Sequence, residues 1–369
     1  MNTFLGAKRD DDTARQIGTE GNAMPSFSEP STHKLTADDG TSVRQLAASL
    51  AERYQSAESP DFLADVTVHA HALPFPLRRF LNAFRLSADE SAVALISGYP
   101  LEDGNIGPTP SQRGDTPSLS PTLADDIYLM LCGALVGDVF GWATQQDGFL
   151  IHDILPVKEC EYDQVGASSQ GTLHWHTEDA FHPYRADHVG LFCLRNPLRT
   201  ATTWGSLDLS LLSSVEIEIL FQARYTILAD DSHKREHEDW RGPAQGALDE
   251  AYRAREATDR KSEKVPLLRG HREDPDLCVD PVYMEPPIDD PEAARALAAL
   301  TSAIQHNIQE LVLSPGDLFI INNTKAVHGR QPFTAGYDGT DRWLKRINLM
   351  SDLRKSRDAR IGAASRVIL

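Results

Sequence analysis

The chain has 369 residues, of which 54 are acidic and 36 basic, giving a formal net charge of −18 at pH 7. A surface that binds nucleic acid needs clustered lysines and arginines, so this balance argues against a nucleic-acid partner. No apolar run approaches the ~20 residues of a membrane span, and the charged start lacks a signal-peptide core. The four cysteines are scattered without a CxxC pair, which is typical of reduced thiols. We therefore predict a cytoplasmic protein, in contact with no membrane, whose partner is a small molecule.

The character of the sequence changes near residue 41. Residues 1–40 are rich in serine, threonine, glycine and acidic residues without an apolar period, which predicts a disordered tail. Beyond them, apolar residues recur at helical spacing, as at Leu46 and Leu50. We predict a single domain over 41–369. Within it, the segment 230–246 is highly polar and long for a simple connection, which indicates a mobile lid.

The rest of the chain has the pattern of short strands with helices before and between them. Asp290 followed by Pro291 is typical of a helix start, because the aspartate caps and the proline suits the first turn. The clearest candidate strands are His188–Leu194, Leu318–Ile321 and Arg342–Leu349. This order predicts a mostly β barrel or sandwich with helical additions.

The most informative segment contains two candidate metal ligands. His176 and Glu178 are two residues apart, so on an extended chain their side chains leave the same face and can converge on one ion. His328, just beyond a buried-looking strand, is the candidate third ligand. Two histidines and one carboxylate leave three positions of an octahedral ion open. A non-haem Fe(II) oxygenase needs those positions for its cosubstrate and O₂.

This segment alone leaves other interpretations open. The pattern His-x-Glu is common by chance, and a surface strand with scattered histidines is the simpler explanation. His174, Asp179 and His182 also lie close enough in sequence to compete as ligands. A zinc hydrolase is a further alternative, although the chain has no His-Glu-x-x-His helix.

Two arginines follow the third candidate ligand. Strand alternation places Arg342 and Arg346 on one face, roughly 13 Å apart at ~3.3 Å per residue. Inside a barrel each guanidinium would need an anion, because burying an unpaired charge is costly. Arginine pairs well with carboxylates, such as those of 2-oxoglutarate or of an amino acid. An exposed strand with its basic residues turned outward is the alternative.

Four blocks of the sequence together resemble the clavaminate synthase-like Fe(II)/2-oxoglutarate-dependent oxygenases. They span 141–148, 176–187, 326–330 and 337–346, and the resemblance runs from about residue 41 to the C-terminus. It is strongest for the subgroup that hydroxylates free amino acids, such as the arginine β-hydroxylase of viomycin biosynthesis. The resemblance implies a double-stranded β-helix (jelly-roll) core of the clavaminate synthase/TauD-like type. It also implies Fe(II), the cosubstrate 2-oxoglutarate, and O₂.

The resemblance assigns roles to both ends of the site. It makes His176, Glu178 and His328 the iron ligands. Arg342 would bind the distal carboxylate of 2-oxoglutarate, helped by the hydroxyl group of Thr202 or Thr203.

The amino-acid substrate would be bound by a separate set of residues. By the same resemblance, Arg346 would bind its α-carboxylate, and Gln145 together with Glu178 its α-amine. A serine of the family is replaced by glycine in this chain, which leaves Ser168 and Ser169 as the nearby substitutes.

The head-group pocket departs from the family pattern. Asp230 matches an aspartate of the family's lid, and Asp280 matches the first acid of an Asp-x-Asp stretch that grips a guanidinium. The second acid is replaced by Val282. A neutral ureido group, as in citrulline, fits a pocket with fewer acids, whereas arginine fits if the two remaining carboxylates suffice.

The sequence thus predicts hydroxylation of C3 or C4 of a free L-amino acid with a long polar side chain, arginine or citrulline. The products would be the hydroxy-amino acid, succinate and CO₂, and the resemblance suggests antibiotic biosynthesis. Desaturation or another oxidation of a related or carrier-bound amino acid is one alternative. A non-catalytic jelly-roll that binds a polar ligand is another. The oligomeric state is not predicted.

Overall fold

The structure is a computed structural model that describes residues 29–86, 91–112, 120–233, 246–261 and 263–369. None of the helices in these ranges is both long enough and apolar enough to cross a membrane. The α-helices are α1 (Ala37–Tyr54), α2 (Pro60–Ala70), α3 (Phe75–Leu86), α4 (Leu123–Gly133), α5 (Ser214–Leu220), α6 (Leu248–Lys261) and α7 (Pro291–His306). The strands are β1 (Ser31–Lys34), β2 (Val93–Ser97), β3 (Asp138–Trp142), β4 (Ile151–Ile154), β5 (Leu173–His176), β6 (His188–Arg195), β7 (Thr202–Ser206), β8 (Leu268–Gly270), β9 (Pro275–Leu277), β10 (Gln309–Leu311), β11 (Leu318–Asn322), β12 (Ala326–Arg330), β13 (Trp343–Met350) and β14 (Val367–Ile368).

Two sheets of unequal size form the centre of the fold. The large sheet has the strand order β1-β2-β11-β6-β13-β3-β14, with β4 also paired to β13. Its central pairs are antiparallel, whereas β1 and β14 join their neighbours in parallel. The small sheet has the order β10-β7-β12-β5. Trp204 of the small sheet packs with Leu191 and Leu344 of the large sheet in one buried cluster. The two sheets therefore face each other, and the predicted mostly β jelly-roll core with helical additions is confirmed.

Strand β13 shows how the sequence divides its side chains between two environments. Leu344 and Met350 pack between the sheets, whereas Trp343, Ile347 and Leu349 pack on the outer face against the N-terminal helices. Neighbouring side chains of a strand point to opposite faces, so this division follows from alternation. A second apolar cluster covers the outer face of the small sheet with α5 and α7.

Helix starts follow their capping residues. The Thr36 hydroxyl accepts a hydrogen bond from the Asp39 amide at the start of α1. Asp290 caps α7 in the same way, with Pro291 in the first turn, as predicted.

The predicted tail over 1–40 differs from the structure at its end. Residues 1–28 lie outside the described part of the chain, but Ser31–Lys34 forms β1 and α1 begins at Ala37. Leu35 is buried in the core under the N-terminal helices, so this segment is held by apolar packing as well as by pairing with β2. The sequence pattern missed this because four residues are too few to show a period. Of the predicted lid over 230–246, residues 234–245 lie outside the described ranges.

A buried ion-pair cluster joins the outer face of β13 to α4. Lys345 is 3% exposed, and its Nζ lies 2.8 Å from Asp153 Oδ1 and 3.5 Å from Asp126 Oδ1. Burial raises the pKa of Asp126 to about 6, although the Lys345 charge opposes that shift. The lysine therefore compensates two carboxylates in an apolar layer.

Lys345→Met should lower the free energy of unfolding by about 3 kcal/mol, because it leaves two buried carboxylates without a cation. Urea unfolding of both proteins at neutral pH measures this difference. The deficit should shrink as the pH falls toward about 6, because Asp126 without Lys345 takes up its proton at a higher pH than it does in the wild type. Arg354→Met is the control, since Arg354 pairs with Asp352 on the surface and should contribute about 0–1 kcal/mol. Equal losses in the two variants would contradict the prediction.

Candidate active site

The three candidate metal ligands lie at the open edge of the small sheet. His176 ends β5 and lies opposite His328 on the neighbouring strand β12. Glu178 follows two residues later, and one ligand atom from each of the three residues lies within 4.8 Å of the others. Glu178 Oε2 is 3.9 Å from His176 Nε2 and 3.1 Å from His328 Nε2. The structure thus brings together residues that are 150 positions apart in sequence.

One nitrogen of His176 is directed at Glu178. His176 Nδ1 donates to the His174 carbonyl oxygen at 2.8 Å, so Nε2 is the nitrogen that faces Glu178. Burial lowers the pKa of His176, but its contacts with Glu178 and Asp280 raise it to about 9, so metal binding would displace a proton from Nε2. Burial alone would raise the pKa of Glu178, but the charge of Arg346 and the two histidines hold it well below its usual range. Glu178 is therefore an ionised carboxylate, as a metal ligand must be.

Asn323 holds the Glu178 segment in place. Its Oδ1 accepts a hydrogen bond from the Glu178 amide at 2.7 Å, and its Nδ2 donates to the carbonyl oxygens of Glu178 and Ala186. Asn323 is fully buried. No sequence pattern indicates this role of Asn323, because the role depends on contacts more than 130 positions away.

Arg342 lies in the same pocket with little to balance its charge. It is 5% exposed, its Nη2 donates to Thr202 Oγ1 at 3.3 Å, and its buried Nε has no hydrogen-bond partner among the described residues. Burial lowers the pKa of Arg342 to about 10, so it remains cationic at neutral pH. A buried guanidinium with one neutral acceptor is suited to bind a carboxylate.

Arg346 lies next to the candidate ligands and is held by three acceptors. It donates to Glu178 Oε1, to Gln145 Oε1 at 2.9 Å and to His152 Nδ1 at 2.8 Å. His152 Nε2 lies 2.9 Å from the Phe149 carbonyl oxygen and donates to it, which leaves Nδ1 as the acceptor. The three residues predicted to bind the α-groups of the substrate therefore lie together: Arg346, Gln145 and Glu178.

The predicted head-group residues also line this pocket. Asp280 Oδ1 accepts hydrogen bonds from the amides of Val282 and Tyr283, at 3.1 and 3.3 Å, and Asp230 Oδ1 accepts one from the Ser232 amide at 2.8 Å. Burial raises the pKa of Asp280, and the Asp230 carboxylate raises it further against the opposing charge of His176. No arginine or lysine in the described ranges forms an ion pair with either aspartate.

Three predicted residues are placed elsewhere. Ser168 and Ser169 do not line the pocket: the Ser168 hydroxyl and the Ser169 carbonyl accept hydrogen bonds from Arg330. Thr203 follows Thr202 on β7, and strand alternation turns its side chain away from the face that carries Thr202. Of the two alternatives, Thr202 is therefore the one in contact with Arg342.

Two of the residues that could compete for the metal, Asp179 and His182, have other contacts. Asp179 accepts hydrogen bonds from Trp142 Nε1 at 2.6 Å and pairs with His233 at 2.9 Å. His182 Nδ1 accepts from the Tyr184 amide, and burial lowers the pKa of His182 to about 3. Asp179 and His233, together with Asp230, form a second close group that connects the start of the predicted lid to the metal-ligand segment.

The residues present fit an iron ion and a dicarboxylate cosubstrate. Two imidazole nitrogens and one carboxylate oxygen form a facial set that leaves coordination positions open. Arg342 adds a buried cation without a carboxylate partner among the described residues, a few side chains from that set in the same pocket.

Comparisons with known proteins agree with this geometry. Residues 218–348 match the family model described as taurine catabolism dioxygenase TauD, TfdA family. The chain is 44% identical to enduracididine beta-hydroxylase of Streptomyces hygroscopicus, over 90% of this chain and 98% of that one. It is 39% identical to the L-ornithine/L-arginine 3-hydroxylase of Catenulispora acidiphila, with the same coverage.

Solved structures give the same result. The non-haem iron oxygenase OrfP, in complex with Fe and alpha-ketoglutaric acid, is 42% identical and superimposes with a TM-score of 0.82 over 92% of this chain and 100% of that one. The chain belongs to the clavaminate synthase-like Fe(II)/2-oxoglutarate-dependent oxygenases. As a member of this family it is a non-haem iron dioxygenase that uses Fe(II), 2-oxoglutarate and O₂.

Asn323→Ala should weaken metal binding by about 10- to 100-fold, because the Glu178 backbone loses the side chain that orients it. Calorimetric titration of the metal-free protein with Mn(II) measures the affinity without turnover. Asn322→Ala is the matched control, since Asn322 Oδ1 accepts only from the amide and hydroxyl of Thr324. Equal affinities in the two variants would show that Asn323 does not support the site.

Proposed function

We propose that this oxygenase hydroxylates C3 or C4 of a free L-amino acid with a long polar side chain, releasing the hydroxy-amino acid, succinate and CO₂. The observation that carries the proposal is the distribution of charge in one pocket. Arg346 adjoins Glu178, and the same pocket contains two further carboxylates, Asp230 and Asp280, that pair with no arginine or lysine among the described residues. A free amino acid with a cationic head group has the complementary distribution. Relatives of this chain are named as hydroxylases of enduracididine, ornithine, arginine and lysine, and these names support the proposal.

The α-substituents of the substrate would be bound beside the metal. Arg346 has N–H groups on Nη1 and Nε that no described residue accepts from, and these would bind the α-carboxylate, while Gln145 with Glu178 would accept from the α-amine. Because Gln145 and His152 already hold the Arg346 guanidinium, its orientation is set before the substrate arrives. Holding both α-groups limits which C–H bond faces the metal.

The cosubstrate would be bound by the iron ligands and by Arg342. His176, Glu178 and His328 hold the iron, and Arg342 with the Thr202 hydroxyl binds the distal carboxylate of 2-oxoglutarate. Iron with 2-oxoglutarate supplies the oxidising chemistry that converts a C–H bond and O₂ into C–OH, succinate and CO₂. The protein excludes water and fixes the distance between this centre and the substrate.

The head-group side favours a cation. Asp230 and Asp280 each engage one carboxylate oxygen with backbone amides, which leaves the second oxygen for a ligand. Two carboxylates without an arginine or lysine partner among the described residues are balanced better by a guanidinium than by a neutral ureido group. Within the predicted pair of substrates, the site therefore supports arginine over citrulline. Val282 stands where the family has an acid, so the pocket has one negative charge fewer, but the charges of Asp230 and Asp280 remain.

The test is a screen for substrate-stimulated succinate release with Fe(II), ascorbate and 2-oxoglutarate. Free arginine, citrulline, ornithine and lysine are the candidates, and product masses distinguish hydroxylation (a gain of one oxygen atom) from desaturation (a loss of two hydrogen atoms). We expect arginine to give the highest rate and a hydroxylated product. His176→Ala should abolish the signal. A protein that releases no succinate with any free amino acid would refute the proposal.

Asp280→Asn should raise the KM for arginine by about tenfold or more, because a desolvated guanidinium loses a charged partner. The KM for citrulline should change much less, since its head group is neutral. Asp276→Asn is the control, because Asp276 lies 3.5 Å from Lys325 outside the pocket. A parallel rise for both amino acids would instead indicate a general loss of pocket structure.

Arg342→Gln and Arg346→Gln should separate the two carboxylate sites. The first should raise the KM for 2-oxoglutarate and the second the KM for the amino acid, each by about tenfold or more. Steady-state kinetics with one ligand varied at saturation of the other measures both constants. Variants that raise the same constant would contradict these assignments.

A further inference from the structure

Arg330 is a second buried arginine in the pocket, and none of the roles above uses its charge. It lies on β12, two residues beyond His328, and is 3% exposed. In the pairing of β12 with β7 it lies directly opposite Thr202. The hydroxyl of the same Thr202 accepts a hydrogen bond from Arg342. Arg330 and Arg342 therefore flank one threonine on the inner face of the small sheet, and both line the pocket.

The hydrogen bonds of Arg330 hold one wall of the pocket. Its Nη2 donates to Ser168 Oγ at 2.8 Å and to the Gly171 carbonyl at 3.2 Å, and its Nη1 donates to the Ser169 carbonyl at 3.2 Å. Residues 164–166, immediately before these acceptors, line the pocket. We call residues 164–171 the wall segment. A side chain on β12 thus fixes a segment that approaches the site from more than 150 positions away.

The charge of Arg330 has no counterion among the described residues. All of its acceptors are neutral oxygens, its buried Nε has no partner, and the aromatic ring of Phe333 lies 5.0 Å from the guanidinium carbon. Arg342 nearby also lacks a carboxylate partner in this part of the chain. Two buried cations side by side are costly unless an anion binds between or beside them.

Arg195 shows what an arginine with a purely structural role looks like in this fold. It is buried to a similar degree and also ties loops together, through the carbonyl oxygens of Gly107 and Gly339 and the Thr109 hydroxyl. It differs in having a carboxylate partner, Asp103 Oδ1, at 2.7 Å. Connecting loops therefore does not require an uncompensated charge. The missing partner of Arg330 points to a ligand.

We propose that Arg330 is a positioning residue for the dicarboxylate cosubstrate. It fixes the wall segment, and its unpaired charge adds to that of Arg342 in attracting the distal carboxylate of 2-oxoglutarate. The inference rests on the placement of 2-oxoglutarate at Arg342 proposed above. It does not depend on which amino acid is hydroxylated. It also explains why Ser168 and Ser169, expected at the substrate, lie on Arg330 instead.

Three variants of the full-length protein test the proposal. Arg330→Lys keeps the charge but loses the planar fork that reaches three wall oxygens, and Arg330→Gln loses the charge. Arg195→Gln removes a buried arginine outside the pocket and is the matched control. Binding of 2-oxoglutarate to the Mn(II)-loaded, oxygen-free protein is measured by calorimetry without an amino acid. The midpoint of thermal unfolding is recorded for each variant.

We expect Arg330→Gln to weaken 2-oxoglutarate binding by about tenfold, whereas Arg330→Lys weakens it by less than about threefold. Both should raise the KM for the amino acid, because the wall segment is released in both. Arg195→Gln should lower the thermal midpoint without changing the Kd for 2-oxoglutarate. This pattern separates the effect of charge from that of packing. If Arg330 were merely structural, the lysine and glutamine variants would have the same Kd for 2-oxoglutarate and the same KM for the amino acid.

Two results would overturn the proposal. If Arg330→Gln binds 2-oxoglutarate like the wild type, the charge has no role. If the lysine and glutamine variants weaken binding equally, Arg330 is only a structural tie. Arg342→Gln, measured in parallel, tests separately whether 2-oxoglutarate binds at Arg342, the assignment on which this proposal rests. Unchanged binding in that variant would place the cosubstrate elsewhere, whatever Arg330 does.

Discussion

The pocket between the two sheets contains more charge than its own side chains neutralise, and the rest of the site depends on this imbalance. Arg330 and Arg342 lie within it without a carboxylate partner among the described residues, and Asp230 and Asp280 without an arginine or lysine partner there. Buried charges of this kind are tolerated only when something compensates them. The surrounding jelly-roll supplies the free energy, because its apolar clusters on both faces of the sheets hold these groups in place. A dicarboxylate and a zwitterion with a basic side chain supply the missing partners.

Strand β13 is the element that combines stability with function. Its outer face carries Trp343, which packs with the N-terminal helices, and Lys345, which pairs with Asp126 of α4 and Asp153 of β4. Its inner face carries Arg346, next to the candidate iron ligand Glu178. The same alternation therefore anchors the strand on one side and aims a guanidinium on the other. A one-residue shift in its pairing with β6 would exchange the two sets, so the register is strongly specified.

Much of the fold and of the candidate site was predictable from short-range patterns. The spacing of His176 and Glu178 and the alternation along β13 are properties of a few consecutive residues, and the structure preserves both. Ser168 and Ser169 illustrate the limit of such reasoning. They are close in sequence to a pocket residue, Gly166, but the Ser168 amide turns back to the Val165 carbonyl at 3.0 Å, and the side chains that follow are directed to Arg330. Proximity in sequence did not determine which surface they face.

The sequence by itself determined the candidate ligands and anion-binding side chains of this protein: a His-x-Glu pair, a distant histidine and two arginines four residues apart, on a mostly β chain. The pair and the two arginines are local features that depend only on strand periodicity and on the side chains themselves, and the family resemblance connected the distant histidine with them. The tertiary structure alone decided which groups share a pocket and which charges remain without partners. Asn323 supports Glu178, and Arg330 lies beside Thr202, because strands far apart in the chain pair in a particular register. Such contacts arise from the packing of whole sheets, so no short stretch of sequence contains them.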